Sequence, residues 1–180
     1  RGSGTMEGAN LVELTLEGYG PGGAAILVQA LSDNRNRTIQ DIRNIFSRSS
    51  GSLGESGCVA WLFDSKGLIT VETNNLDAEE LALQAIDAGA EDVKVENNYV
   101  EIYTKPEELE AVRTALEQRN LPVASAELSM IPKTTVELEE KTALQTLKLL
   151  DKLEELDEVQ HVFRNAQFRY IQLEKYQLRA

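Results

Sequence analysis

Two stretches of this chain hold residue types whose spacing could do chemistry. In the first, Glu17-Gly18-Tyr19-Gly20-Pro21-Gly22-Gly23, the glycines at 18, 20 and 23 spell a literal G-x-G-x-x-G. In a dinucleotide site that pattern opens a helix whose N-terminus holds the pyrophosphate. Here the next residues, Ala24 to Leu31, form a short apolar run that reads as a strand. Pro21 also removes one amide donor from the loop, and no Gly-Lys-Ser/Thr comes after it. A dinucleotide or nucleoside triphosphate site is therefore not expected, and no cofactor is assigned. Two readings of the loop remain open. It is a tight turn between strands, or it is a contact loop of Tyr19, Gly20, Pro21 and Gly22 in which Tyr19 offers a stacking face and the glycines let another backbone approach closely.

The second stretch is the only basic cluster in the first third of the chain: Arg35, Arg37, Arg43 and Arg48. Ile39, Ile42, Ile45 and Phe46 recur at helical spacing through it. At about 100° per residue, Arg37, Asp41, Asn44 and Arg48 share the face opposite Ile42. Arginine and asparagine on one exposed face suit phosphate and sugar contacts. A solvated helix face with Arg37–Asp41 as an i,i+4 pair accounts for the same pattern.

Other reactive residue types are few. One cysteine, Cys58, excludes an internal disulfide framework and suits a reducing compartment. With one Cys and one His, His161, the usual Cys/His zinc site is excluded within the chain. Cys58 reads as a small buried residue of a strand, Trp61 as core with an interface role as the alternative, and His161 as structural, since no nucleophile elbow accompanies it. The carboxylates of residues 77–117 read as solubilising helix charge without calcium-loop spacing. No metal site, no small-molecule substrate and no enzymatic constellation is expected.

The elements that position these residues are set by composition and pattern. At 42% hydrophobic and 27% charged the chain is ordinary for a globular protein, and no run approaches the roughly 18 apolar residues of a membrane span. The net charge of −12 is uneven. Residues 67–133 hold fourteen acids against five bases, while residues 1–66 hold seven against six. The middle module should be repelled by phosphate backbones, so nucleic-acid contact falls to the first third or to a part outside this chain.

Val12, Leu14 and Leu16 alternate with polar residues as in a half-buried strand, and Ala24–Leu31 reads as its partner. Thr38 and Asp41 have capping-box spacing, and Cys58–Phe63 reads as a third strand. From Leu68 the pattern runs strand, helix, two strands joined through Asn97-Asn98, helix, strand: the β-α-β-β-α-β order of a ferredoxin-like unit. Thr134 and Glu137 make another capping box before a long helix, and Val159–Phe163 reads as a last strand. The expected fold is α+β in two α/β modules. Residues 11–66 with 134–165 form one domain, and the acidic ferredoxin-like unit 67–133 is inserted into it.

Several strings fall together: Glu17–Gly23, Asp33-Asn34-Arg35-Asn36-Arg37-Thr38, Gly51–Phe63, Ala88-Gly89-Ala90-Glu91-Asp92-Val93, Ile131-Pro132, and Leu149 to Val162. In order and spacing they closely resemble the YebC family, which includes the mitochondrial translational activator of cytochrome oxidase subunit I. The resemblance covers roughly residues 1 to 165. It implies the same inserted arrangement and a non-enzymatic regulator of gene expression whose partner is nucleic acid. The expectation is a translation factor acting with ribosomal RNA or the ribosome; a DNA-binding transcriptional regulator is the alternative, and an acidic protein-interaction module a third. The family carries a basic N-terminal helical domain before this region, so residues 1–10 are read as a remnant linker from it. Residues 169–180 resemble nothing in the family, and the tail 166–180 is left unassigned. The expected location is the cytoplasm; a mitochondrial or plastid matrix is the alternative, since the family's N-terminal domain lies outside this sequence.

Overall fold

A computed structural model describes residues 10–179; most of the 1–10 linker expected above lies outside the described residues. The chain divides into two compact units, residues 1–63 with 132–180 and residues 64–131.

The first unit is built on a sheet of order β3-β1-β2-β9. β1 (Val12–Tyr19) pairs antiparallel with β2 (Ala25–Ser32), from Val12↔Ser32 to Tyr19↔Ala25. β3 (Ser52–Leu53) flanks β1, and β9 (Val159–Arg164) runs antiparallel along β2, with an irregularity at Gln29/Ala30. Alternation turns Ile26 and Val28 of β2 to one side. There they meet Ile42 and Phe46 of α1 (Arg35–Arg48) and Leu149, Leu150 and Leu153 of α4 (Glu140–Glu154) in one buried cluster. Burying a side chain of this size contributes about 1.5–3 kcal/mol, so this cluster fixes both helices on the sheet.

The second unit runs β4 (Phe63–Glu72), α2 (Ala78–Asp87), β5 (Asp92–Val95), β6 (Tyr99–Thr104), α3 (Leu109–Gln118) and β7 (Val123–Pro132). Its sheet has the order β5-β6-β4-β7, with β6 antiparallel to both β4 and β5. Counted from its own first strand this is 4-1-3-2, the ferredoxin-like order expected of the βαββαβ pattern. Ile69, Val71, Val100 and Ile102 of the sheet close a core with Leu81 and Ala85 of α2 and Val112 and Leu116 of α3.

Three local expectations change. The α1 cap is Asn34, whose side chain accepts the Arg37 N–H at 3.1 Å. Thr38 is instead buried, with its hydroxyl 2.6 Å from that of Ser32. Glu137 does not cap α4, because Val136 and Glu137 form β8, a short strand parallel to β10 (Ala166–Gln167). The unassigned tail is structured: α5 (Tyr170–Arg179) buries Gln172, which accepts from the Arg169 amide and donates to the Leu138 carbonyl.

Candidate nucleic-acid interface

β1 and β2 are joined by one tight turn. The Gly20 amide donates to the Ala24 carbonyl at 2.8 Å, and Pro21–Gly23 form a single 3-10 turn. Gly22 has φ +76°, and a side chain there would meet the Thr142 methyl group of α4 at 2.6 Å. Glycine is therefore required both by the backbone and by the contact. Gly20 and Pro21 are buried, so the turn is seated on the start of α4 and does not protrude. Of the loop residues singled out in the sequence, Tyr19 and Gly22 face solvent. The turn leads directly into β2, so no helix N-terminus stands behind the glycines.

Cys58–Phe63 is not a strand up to Phe63. Turns around 56–59 lead into a 3-10 turn at Ala60–Leu62. The reason lies in β1. The Glu17 carboxylate, 4% exposed, accepts the backbone N–H groups of Gly57, Val59 and Ala60 at 2.6, 2.9 and 2.7 Å. Burial pushes its pKa up, but the three amide bonds outweigh burial and hold it below the ordinary carboxylate value. Those amides are thereby withheld from any sheet ladder. The Glu17 main-chain carbonyl also takes the Gly54 N–H, so one residue ties down the whole segment.

This clamp presents the Cys58 carbonyl to two aromatic side chains. The Tyr19 hydroxyl donates to it at 3.2 Å and the Trp61 indole N–H at 3.1 Å. Trp61, expected in the core, is 65% exposed, and Tyr19 is 39% exposed. Both polar atoms are satisfied while the rings remain in solvent. Burial, and then the nearby Glu17 charge, push the Cys58 thiol pKa up and disfavour the thiolate.

The arginines separate. Arg37 pairs with Asp33 at 3.3 Å and Glu158 at 3.1 Å, and not with Asp41. Asn44 accepts from Gln40 of the same helix. Arg35 and Arg43 are exposed, but lie roughly 160° and 120° around the helix from Arg37. Arg48 lines a pocket of about 180 Å³ with Ser49, Ser50, Gln145 and Lys148. Lys148 is not legible as a partner in the sequence, since only the packing of α4 against α1 brings it there. His161 is exposed and stacks on Phe163 at 5.6 Å. Among the described residues, no group of three His, Cys, Asp or Glu is placed to hold a metal ion, and no helix is long and apolar enough to cross a membrane.

The fold is that of an α+β protein whose chain carries a ferredoxin-like unit between two segments of its first unit. A crystal structure of a conserved hypothetical protein, Aq1575, from Aquifex aeolicus superposes with a TM-score of 0.85 at 44% identity, covering 94% of this chain and 70% of that one. A probable transcriptional regulatory protein of Dehalococcoides mccartyi strain 195 is 58% identical over 180 residues, all of this chain and 72% of its own length. Another of that name from Moorella thermoacetica is 54% identical over 169 residues, 92% of this chain and 67% of its own. Residues 11–166 match the family described as TACO1/YebC second and third domain, and the chain belongs to that family.

Proposed function

We propose that this chain is part of a non-enzymatic regulator of gene expression that acts in the cytoplasm at the level of translation, contacting ribosomal RNA through the Tyr19–Trp61 surface and the cations beside it. The observation that carries the reading is the pair of exposed aromatic rings anchored on one carbonyl, itself held by a buried carboxylate. Rigid exposed aromatics suit unpaired bases, which RNA presents in loops and bulges and duplex DNA does not. A chain with a net charge of −12 is also repelled overall by a DNA duplex. DNA-binding transcriptional regulation is the second reading, favoured by the names of the relatives in Dehalococcoides mccartyi and Moorella thermoacetica.

The test is binding to purified ribosomes and to duplex DNA across a salt series, for wild type, Arg37→Ala and Arg48→Ala. Arg48→Ala should weaken ribosome binding and flatten the salt dependence by roughly 0.7–0.9 of a log–log unit, as for one lost phosphate contact. Arg37→Ala should leave the slope unchanged, because Asp33 and Glu158 already neutralise that guanidinium. Tight, sequence-selective duplex binding with no ribosome association would replace this reading with the transcriptional one.

A further inference from the structure

The pocket at Arg48 stands against the composition of the chain. The sequence carries 30 acidic and 18 basic residues, yet none of the pocket's five lining residues is acidic. Arg37, Lys66, Lys94, Arg113, Arg119 and Lys175 all pair with carboxylates. Arg48 and Lys148 are among the cations, Arg35 and Arg43 included, that have no carboxylate within ion-pair distance among the described residues, and these two line one pocket together. Both side chains are solvent-exposed and line the same pocket; like charges there repel, and a bound anion converts that repulsion into attraction. Every side chain of the lining is also a donor: a guanidinium, an ammonium, two hydroxyls and a carboxamide. The volume, about 180 Å³, falls below the roughly 300–1,000 Å³ of a small-molecule site, which suits one oxyanion group and not a whole nucleotide.

The surroundings are as informative as the lining. Ser50 leads into Gly51, packed so closely on β1 that a Cβ there would lie 2.5 Å from the Tyr19 carbonyl oxygen. Gln145 lies one helical turn beyond Thr142, the residue against which Gly22 is seated. The pocket therefore adjoins the turn that carries Tyr19.

We propose that this pocket, between the end of α1 and the middle of α4, is a phosphate-binding site in which Arg48 and Lys148 clamp the oxyanion and Ser49, Ser50 and Gln145 donate to it. That the phosphate belongs to an RNA strand whose base meets the neighbouring aromatic rings rests on the function proposed above. That the pocket takes phosphate does not.

The experiment is an amide-resolved NMR titration of the whole chain with inorganic phosphate and, separately, with pentauridylate, at constant ionic strength set by chloride. It compares wild type, Lys148→Gln, Arg48→Gln and, as a control on another helix face, Arg43→Gln. Saturable shifts should centre on Ser49, Ser50, Gln145 and Lys148. Affinity should fall roughly tenfold or more in the Lys148 and Arg48 variants, the loss expected for one charged hydrogen bond, and stay unchanged in Arg43→Gln. Unchanged dispersion of the remaining spectrum separates lost binding from lost folding. Pentauridylate binding more tightly than phosphate supports both the site and the RNA reading. Saturation by phosphate with pentauridylate no tighter supports the site and removes the RNA reading. Shifts scattered over all surface cations, or equal affinity in the Lys148→Gln variant, overturn the site whatever the ribosome assay shows.

Discussion

Tyr19 and Trp61 share one acceptor: both donate to the carbonyl oxygen of Cys58, from β1 and from the 3-10 turn respectively. Neither ring is buried by this contact, so the bonds set position without covering the rings.

This arrangement separates binding from folding. Trp61→Ala should change stability by no more than about 0.5 kcal/mol, as for other exposed positions, measured by urea unfolding. Ribosome or RNA affinity should fall by about 1–3 kcal/mol, the worth of one base stacked on an aromatic side chain. Tyr19→Phe keeps the ring and loses only the hydroxyl bond, so its effect should be the smaller. Equal affinity of Trp61→Ala and wild type would remove the aromatic surface from the mechanism.

Glu17 gives a prediction with a sign. Its pKa is lowered in the folded protein. The stability it contributes is complete above the free carboxylate value of about 4.3 and is lost as pH falls through the lower, folded value. In Glu17→Gln the amide can still accept on its oxygen, but its NH₂ group confronts one backbone donor. That variant should be less stable by about 1.5–3 kcal/mol at neutral pH. The gap to wild type should begin to narrow as pH falls below the free carboxylate value of about 4.3 and go on narrowing through the lower, folded value. Thermal midpoints of both proteins across that range supply the check; a gap that widens on acidification contradicts the clamp.

The origin of this clamp also explains how far the sequence alone can be read. Element order, the inserted unit and its βαββαβ pattern are legible, because they arise from hydrophobic periods and turn residues that are local in the chain. Cys58–Phe63 misleads because its apolar run has the composition of a strand, while the partner that captures its amides lies some forty positions earlier. Trp61 misleads for the same reason: size and apolarity argue burial, and only the Cys58 bond shows its edge held at the surface. Thr38 and Thr134 carry capping-box spacing. However, Asn34 reaches the α1 amides first, and β8 occupies the residues before α4. Arg48 is visible as a cation, but Lys148 is a hundred positions away and joins it only through helix packing.

The tail offers a test of a contact that no motif announced. Gln172 is 1% exposed and links the start of α5 to the chain before α4 through the Arg169 amide and the Leu138 carbonyl. Gln172→Ala leaves two backbone groups without their partner and should cost about 1–3 kcal/mol in unfolding free energy. If chemical denaturation finds no loss, α5 is not coupled to the rest of the unit.

The second unit should stand by itself. Its core of Ile69, Val71, Leu81, Val100, Ile102, Val112 and Leu116 is drawn wholly from its own elements. A fragment of residues 64–131 should therefore unfold cooperatively, with a near-ultraviolet signal from its tyrosines. A fragment that melts without a transition, or lacks that signal, would show that the unit depends on its host.

The strand order β5-β6-β4-β7 places the first and last strands of this unit side by side. Its entrance and exit consequently lie next to each other, and the host chain meets the guest as if it were a hairpin loop. Closing a loop grows dearer only with the logarithm of its length, so the host bears little more for an entire folded unit than for a turn. Exchange of the guest for another of different surface charge, its two ends equally close, is thus open to evolution and to engineering without redesign of the sheet that carries Tyr19.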